Sequence, residues 1–343
     1  MKNILLTGGC GFIGSHTAVE LLKVGQYNVT IVDNLINSKS TVIEKIKQIT
    51  NKDINFVELD LLDNVTLDNL FNYNKFDTVI HFAGLKAVGE SVEKPLLYYQ
   101  NNINSTLNLL KIMEKYNCYN LIFSSSATVY GTSKSPLTEN SNIGIGISNP
   151  YGRTKYMIEQ ILKDLCVSND KWKITSLRYF NPVGADKSGL IGEDPNGIPN
   201  NLMPFILKVA IQNNLNKFID HKYNYLNIFG DDFNTKDGTG VRDYIHVTDL
   251  ALGHIAAIEK LKNGYNYYNL GSGNGYSVLE MVKTFERVNK IKIPYKITNR
   301  RLGDLDETFC NPKKAERELG WKVKMNLEDI SIDSWNYCLN YNK

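Results

Sequence analysis

The N-terminal 33 residues constrain the fold more than any other part of the chain. Residues 2–6 are apolar and predict a short buried strand, which runs into a glycine-rich turn at residues 7–14 and then a helical pattern that extends to residue 22. The turn has glycines at positions 8, 9, 11 and 14, so it fits both G-x-G-x-x-G and G-x-x-G-x-x-G. Such glycines allow a tight turn and let a pyrophosphate approach the N-terminus of the helix.

A second predicted strand, at residues 28–32, ends in Asp33 and supports a dinucleotide site. A carboxylate about 20 residues after the glycine turn is placed to bind the hydroxyls of a ribose. Asp33 would repel a 2′-phosphate, and no arginine lies nearby in the sequence, which favours NAD over NADP. A glycine-rich turn that binds no ligand remains the alternative at this point.

The alternation of strands and helices continues through the first half of the chain. Further strands are predicted at residues 54–58, 78–82, 121–124 and 174–177, with a helix at about 102–115. This order predicts an α/β fold, a Rossmann-type doubly wound parallel sheet with right-handed crossovers. Ligands of such sheets bind at the carboxyl ends of the strands. The segments that follow a predicted strand should therefore meet at one edge; they are residues 8–14, 33, 60, 83–86, 124–126 and 179–181.

The composition of the chain changes after residue 181. Glycine, proline and asparagine crowd residues 184–201, and residues 213–225 predict a polar surface excursion. Helices are predicted at residues 203–211, 248–261, 278–289 and 312–319, and short strands near 226–229 and 267–269. We expect residues 1–181 to form a dinucleotide-binding domain into which residues of about 227–260 return, and residues 182–343 to form mainly a smaller C-terminal α/β cap.

Composition excludes several other classes of protein. Hydrophobic residues make up 42% and charged residues 22%, as is usual for soluble globular proteins. The net charge of +3 comes from scattered lysines with no basic run, so no nucleic-acid partner is expected. The five cysteines form no C-x-x-C and no metal-ligand spacing, which predicts thiols in a reducing compartment and no metal site. No signal peptide and no apolar run near 18 residues is found, so a cytoplasmic location without membrane contact is expected.

The segment Asn-Pro-Tyr-Gly-Arg-Thr-Lys at residues 149–155 carries the candidate chemistry. The spacing Tyr-x-x-x-Lys also occurs at Tyr130 and Lys134, where neighbouring glycine and proline predict a loop. Asn-Pro predicts the start of a helix, which places Tyr151 and Lys155 one turn apart on one face. We expect the ammonium to lower the pKa of the tyrosine and make it a proton acceptor. An ordinary amphipathic helix with an exposed tyrosine and lysine fits the same spacing.

Nine segments spread over nearly the whole chain carry a family resemblance. They are residues 7–14, 33–35, 81–90 (HFAGLKAVGE), 123–131 (FSSSATVYG), 150–155, 178–185 (RYFNPVGA), 192–204 (GEDPNGIPNNLMP), 238–247 (GTGVRDYIHV) and 300–305. Together they resemble the extended short-chain dehydrogenases and, within them, the UDP-glucose 4-epimerases. The resemblance implies reversible 4-epimerisation of UDP-glucose and UDP-galactose through a transient 4-keto sugar, with tightly bound NAD.

The resemblance also implies roles for individual residues. Tyr151 takes the proton of the sugar 4-hydroxyl, Lys155 lowers the pKa of Tyr151 and binds the nicotinamide ribose, and Ser126 hydrogen-bonds the 4-oxygen. The cofactor-binding set is Gly8, Gly11, Phe12, Ile13, Gly14, Asp33, Asn34, Asn37, Asp60, Leu61, Phe82, Ala83, Lys86, Asn101 and Tyr179. The UDP-sugar set is Asn181, Asn201, Leu202, Asn227, Phe229, Arg242, Arg301, Asp304 and Thr308.

Three further expectations concern specificity and assembly. Arg242 and Arg301 are two of only seven arginines, as bidentate recognition of a diphosphate would require, although exposed surface charge is the alternative. Thr308 occupies the position that limits the sugar pocket in this family, where bacterial-type members carry tyrosine, so UDP-GlcNAc and UDP-GalNAc become expected substrates. Relatives pair through the helix of the tyrosine and the preceding helix, which implies a homodimer through residues 151–166 and about 102–115.

Other functions stay open at the level of sequence. Related 4,6-dehydratases and UDP-glucuronate decarboxylases place acidic residues directly after the catalytic serine or threonine, at the positions of Ala127 and Thr128. Neither residue exchanges a proton usefully near neutral pH, which argues against both reactions. A net oxidoreductase would need exchangeable nicotinamide. A non-catalytic NAD(H) sensor typically lacks the serine, tyrosine and lysine that this chain has.

Overall fold

A computed structural model describes residues 1–194, 201–215, 219–301 and 303–341. The resembling segments 192–204 and 300–305 and the predicted excursion 213–225 therefore lie partly outside the described residues. The strands are β1 Lys2–Thr7, β2 Tyr27–Asp33, β3 Asn55–Glu58, β4 Thr78–His81, β5 Asn120–Ser126, β6 Lys173–Tyr179, β7 Asn181–Val183, β8 Leu226–Phe229, β9 Val241–Arg242, β10 Tyr244–His246, β11 Gly264–Leu270, β12 Tyr276–Ser277, β13 Tyr295–Thr298 and β14 Glu307–Thr308.

The helices surround these strands, and 3₁₀ turns at Ala127–Tyr130 and His221–Tyr223 supplement them. The α-helices are α1 Phe12–Val24, α2 Thr41–Thr50, α3 Asn64–Tyr73, α4 Val88–Glu93, α5 Pro95–Lys115, α6 Pro150–Ser168, α7 Leu202–Asn214, α8 Val247–Glu259, α9 Val278–Asn289, α10 Lys313–Leu319 and α11 Leu327–Tyr341. Every helix and strand predicted from the sequence is present. The helices α2, α3, α4 and α11 and the short strands β7, β9, β10, β12, β13 and β14 were not predicted. In α2, Ile43 and Ile46 are buried one turn apart and Val42 and Ile49 pack against the same core, so the helical spacing of its apolar residues was a signal present in the sequence.

Seven parallel strands form the central sheet in the order β11-β6-β5-β4-β1-β2-β3. The chain runs from β1 outward to β3 and then returns to the other side of β1 with β4. This reversal is the topological switch point of a doubly wound sheet, at which the strand ends leave a crevice. The predicted Rossmann-type fold is confirmed.

The two faces of the sheet explain why its strands are almost continuously apolar. Ile4 and Leu6 of β1 pack with α1 and α8 on one face, whereas Leu5 between them packs with α5 and α6 on the other. Successive side chains of a strand alternate between faces, and a parallel sheet buries both. The helices that carry the candidate site are therefore fixed against a rigid layer.

The second half of the chain contributes to both regions. A third core, around Phe285 and Trp335, joins α7, α9 and α11 and forms the centre of the smaller region. Strand β11 was predicted as a short strand of residues 267–269, but it extends over seven residues and pairs with β6 along its whole length. It is thus the edge strand of the central sheet. Within the described ranges, no helix has the length and apolarity needed to cross a lipid bilayer.

Candidate active site

The glycine-rich turn lies at the switch point between β1 and β4. Gly8 has a positive φ of +70°, and a Cβ at this position would lie 2.6 Å from the backbone nitrogen of Ala83. A Cβ at Gly14 would lie 2.6 Å from the carbonyl oxygen of Gly8. Gly11 precedes α1 and provides no side-chain cap. The first backbone N–H groups of α1 therefore face the crevice without a competing side chain, which suits an anion.

Asp33 ends β2 beside this turn, as predicted. Its carboxylate is buried and accepts hydrogen bonds from the backbone N–H of Cys10 at 3.0 Å and the hydroxyl of Ser38 at 2.8 Å. Asn34, the next residue, donates a hydrogen bond from its side chain to Asp60 at 3.0 Å, and Asp60 follows the neighbouring strand β3. The two carboxylates lie at the carboxyl ends of neighbouring strands, at the same edge of the sheet. This is the place predicted for recognition of a ribose.

Tyr151 is held at the start of α6. Asn149 caps the helix by accepting a hydrogen bond from the backbone N–H of Gly152 at 2.8 Å, so the first turn is well defined. One turn later, Lys155 Nζ donates to the carbonyl oxygen of Ser124 on β5 at 2.6 Å. The ammonium lies 5.9 Å from the centre of the Tyr151 ring. The helix thus presents both side chains to the end of β5.

Ser126 is the last residue of β5 and faces the same place. Its hydroxyl oxygen accepts hydrogen bonds from the backbone N–H and the hydroxyl of Thr128 at 3.2 and 3.0 Å. Because it accepts from both, the hydroxyl proton of Ser126 is available for a third oxygen. The structure therefore brings the predicted serine, tyrosine and lysine together.

Burial determines the acid–base properties of Tyr151 and Lys155. It raises the pKa of Tyr151, and a hydrogen bond with Ser126 offsets only part of this effect. Burial also lowers the pKa of Lys155 to about 7, while the nearby carboxylate of Glu159 raises it. The net shift of the tyrosine pKa is therefore upward, and the expectation of a pKa below its ordinary value is wrong in this structure. The reason is that desolvation disfavours both charged forms, which spacing along a helix does not reveal.

A single cavity of about 860 Å³ unites the two predicted sets of residues. Its wall contains Ser126, Tyr151, Lys155, Gly8, Gly11, Phe12, Ile13, Gly14, Asp33, Asn34, Asn37, Asp60, Leu61, Phe82, Ala83, Lys86, Asn101, Tyr179, Asn181, Asn201, Leu202, Asn227, Phe229, Arg242, Arg301 and Asp304. Thr308 is not part of the wall. It lies on β14, where it pairs with Arg242 of β9, so any influence on the cavity passes through this neighbouring strand.

The C-terminal half of the chain contributes a cluster of charge to the cavity wall. Asp304 accepts a hydrogen bond from Arg301 Nε at 2.9 Å and lies 3.7 Å from Arg242 Nη2. Arg242 Nη1 also donates to the carbonyl oxygen of Leu305 at 2.9 Å, which fixes its direction. The guanidinium of Arg301 lies 5.0 Å from the centre of the Phe229 ring. Two guanidinium groups share one carboxylate, so a positive charge remains, as the binding of a diphosphate requires.

Three contacts around the cavity were not predicted from the sequence. Asn102 Oδ1 accepts from the backbone N–H of Leu85 at 2.8 Å and thereby fixes the loop after β4. Tyr179 shares a short hydrogen bond with the buried His254, and Glu193 lies 3.5 Å from Lys86. A buried asparagine in a helix is disfavoured by intrinsic propensity, and this was the one signal available for Asn102. The other two contacts depend on tertiary packing.

Comparisons with known proteins agree with this geometry. Residues 4–271 match the NAD dependent epimerase/dehydratase family. The chain belongs to this family. It is similar to the UDP-glucose 4-epimerase of Bacillus subtilis (strain 168), with 54% identity over 337 residues that cover 97% of this chain and 96% of the relative.

Two crystal structures of family members are also similar to this chain. The UDP-glucose 4-epimerase of Bifidobacterium longum, in complex with NAD⁺ and UDP, has a TM-score of 0.93 and 49% identity, with 99% of each chain covered. The enzyme of Stenotrophomonas maltophila, with bound NAD and formylated UDP-arabinopyranose, has a TM-score of 0.93 and 43% identity and covers 100% of this chain and 99% of its own. In the part of this chain that the structure describes, no cluster of three or more acidic, histidine or cysteine side chains could hold a metal ion.

Proposed function

We propose that this chain interconverts UDP-glucose and UDP-galactose by inverting carbon 4, with NAD as a tightly held cofactor. The observation that carries the proposal is the single cavity that joins a dinucleotide cradle, a Ser126–Tyr151–Lys155 cluster and a pair of arginines. A reaction that removes a hydride from a nucleotide-linked sugar and then adds it back needs the cofactor site, the proton acceptor and the diphosphate site in one cavity. Family membership and the similar structures support the same reaction.

The residues of the cluster have complementary roles in this reaction. Tyr151 accepts the proton of the sugar 4-hydroxyl and returns it to the same oxygen after the other face of carbon 4 has been reduced. Ser126 donates a hydrogen bond to that oxygen. Lys155, with a pKa of about 7, is partly protonated near neutral pH and its charge favours the phenolate form of Tyr151. Bound NAD supplies the acceptor and later the donor of the hydride.

One part of the cavity would bind NAD and the other part the sugar nucleotide. The N-terminus of α1 and the carboxylate of Asp33 would hold the diphosphate and a ribose of NAD, whereas Arg242 and Arg301 would hold the diphosphate of the sugar nucleotide. We therefore propose that residues 1–181 bind NAD, together with the returning segments that include α8 and β11. Residues 182–343 would mainly bind the UDP-sugar.

The residues after Ser126 favour epimerisation over dehydration or decarboxylation. Ala127 and Thr128 lie in the 3₁₀ turn that follows β5, and the hydroxyl of Thr128 donates to Ser126. An alanine and a threonine offer neither the acid nor the base that elimination across carbons 5 and 6 needs. The cluster is therefore suited to proton exchange at a single oxygen.

Replacing the proton acceptor tests the proposed reaction. Tyr151→Phe is expected to lower kcat for UDP-galactose by about 10²–10⁴-fold, because general acid–base catalysis contributes that much. Steady-state rates of UDP-glucose formation measure the effect. Tyr73→Phe is the matched control, since Tyr73 ends α3 and is 82% exposed. A Tyr151→Phe enzyme with nearly parental kcat would contradict the role of Tyr151 as proton acceptor, and a parental protein without any conversion would instead support the sensor function.

Crowding the glycine turn tests the cofactor site. Gly8→Ala places a methyl group against the backbone of Ala83 and is expected to lower the amount of NAD that copurifies with the protein. Acid release and spectrophotometry measure the ratio of NAD to protein. Gly89→Ala is the control, because a Cβ at Gly89 meets no atom within 4 Å. Equal NAD content in both variants would contradict the assignment of the turn.

We further propose that UDP-GlcNAc and UDP-GalNAc are substrates, because the small side chain of Thr308 leaves space for the N-acetyl group of the sugar. Thr308 is small and pairs with Arg242, which lies in the cavity wall. Thr308→Tyr is expected to abolish N-acetylhexosamine epimerisation selectively, while Glu307→Tyr at the exposed neighbouring position of β14 leaves it intact. No conversion of UDP-GlcNAc by the parental enzyme at high concentration would refute the proposal.

A homodimer through α5 and α6 is the proposed assembly. The two helices pack on each other, and Leu96 on α5 and Met157 on α6 remain exposed, Leu96 to 81%. Burying such apolar side chains is the usual driving force of association. Light scattering at micromolar concentration is expected to give twice the mass of the chain, and Leu96→Asp is expected to shift the protein towards monomer. A monomeric parental protein would exclude the assembly.

A cytoplasmic location is also proposed. The thiols of Cys10, Cys118 and Cys310 are buried and form no disulfide, as is usual in a reducing compartment. Cell fractionation that recovers the protein outside the cytoplasm would contradict this location.

A further inference from the structure

Glu159 is a buried carboxylate one helical turn after Lys155 on α6. It is 1% exposed, and both of its oxygens are engaged. Oε1 accepts hydrogen bonds from the hydroxyl of Ser125 at 2.6 Å and from Arg178 Nε at 2.9 Å, and Oε2 accepts from Arg178 Nη2 at 2.6 Å. This is a bidentate ion pair without access to solvent, in a site where every unpaired charge is costly.

The guanidinium of Arg178 is itself held rigidly. Its carbon lies 5.0 Å from the centre of the Tyr130 ring and 4.6 Å from the centre of the Tyr267 ring. Arg178 Nη1 also donates to the hydroxyl of Tyr130 at 3.0 Å. Because the guanidinium has no freedom to turn, it fixes the carboxylate of Glu159 in one direction.

Glu159 joins three elements next to the proposed catalytic residues. Ser125 stands between Ser124, whose carbonyl oxygen accepts from Lys155, and Ser126. In the register of β5 and β6, Ser125 pairs with Arg178 and Ser126 with Tyr179. The contacts of Glu159 thus fix α6, β5 and β6 to one another one residue away from the cavity wall.

We propose that Glu159 is a positioning residue of the epimerisation, which acts on Lys155 from one helical turn away and holds the end of β5 in register with α6. This inference rests on the function proposed above. The competing account is that Glu159 only neutralises the buried Arg178 and has no influence on the reaction.

The electrostatic surroundings of Lys155 favour the first account. Burial lowers the pKa of Lys155, and Glu159 is the group that raises it. His81 of β4 also faces Lys155 but is neutral, since burial lowers its pKa to about 3. Further titratable groups on the elements packed against α6 include Glu90 of α4, Tyr98 of α5, Tyr130 of the 3₁₀ turn, Arg178 of β6 and Tyr265 of β11. Removing the charge of Glu159 therefore lowers the pKa of Lys155 further.

Two variants separate the accounts. Glu159→Gln keeps the size of the side chain and removes its charge. Glu159→Gln combined with Arg178→Met removes both charges, so no buried charge is left unpaired, an exchange that is often tolerated. If Glu159 acts through Lys155, both variants lose kcat for UDP-galactose by about tenfold or more at pH 8, and the alkaline limb of the kcat profile moves about one unit to lower pH. KM for UDP-galactose stays at the parental value.

A double variant with parental kcat and a parental pH profile would overturn the inference. Only the account in which Glu159 merely neutralises Arg178 predicts that kcat recovers when both charges are removed. Glu139→Gln is the matched control: Glu139 is also buried and accepts from the backbone N–H of Asn269, but it does not face Lys155. Should neither variant fold, Ser125→Ala decides, with a lower kcat expected and a parental kcat contradicting the inference. The unaltered enzyme is assayed in parallel, and its inactivity would count against the proposed function instead.

Discussion

The burial of Lys155 is the constraint on which the rest of the site depends. An ammonium group removed from water tends to lose its proton, and here one carbonyl oxygen on β5 and one carboxylate on its own helix oppose that tendency. The carboxylate of Glu159 must in turn be held, which the clamped guanidinium of Arg178 achieves. Three alternating charges thus extend from the cavity wall into the core. The helix that carries Tyr151 therefore has little freedom to shift against β5 and β6 without breaking the contacts among Lys155, Glu159 and Arg178.

The sheet provides the other requirement, a dinucleotide cradle beside that helix. The reversal of strand order between β1 and β4 opens a crevice, and the glycine turn lets the backbone close up against Ala83 so that the start of α1 faces it. The return of α8 and β11 to the central sheet connects this region to the smaller one through the chain itself. The two arginines and Tyr151 therefore line one cavity.

Much of this arrangement is readable from the sequence, because its determinants are local. The glycine turn, Asp33 and the Asn-Pro start of α6 each follow from backbone requirements within a few residues. The pair of Glu159 and Arg178 was not found, since the glutamate looks like an ordinary polar residue of an amphipathic helix and its partner lies on a strand. The direction of the pKa shift of Tyr151 and the distance of Thr308 from the cavity depend on burial and on the pairing of β14 with β9, which only the folded chain determines.

One measurement tests the central claim most directly, namely that a single cavity holds cofactor and sugar nucleotide through a complete hydride cycle. Purified protein, with no nicotinamide added, is mixed with UDP-galactose, and UDP-glucose is followed by chromatography. The account predicts many turnovers per protein molecule without a net change in reduced cofactor. Loss of UDP-galactose only when NAD is added, with NADH formed in proportion to an oxidised sugar nucleotide and without UDP-glucose, would contradict it, because the chain would then be a net oxidoreductase.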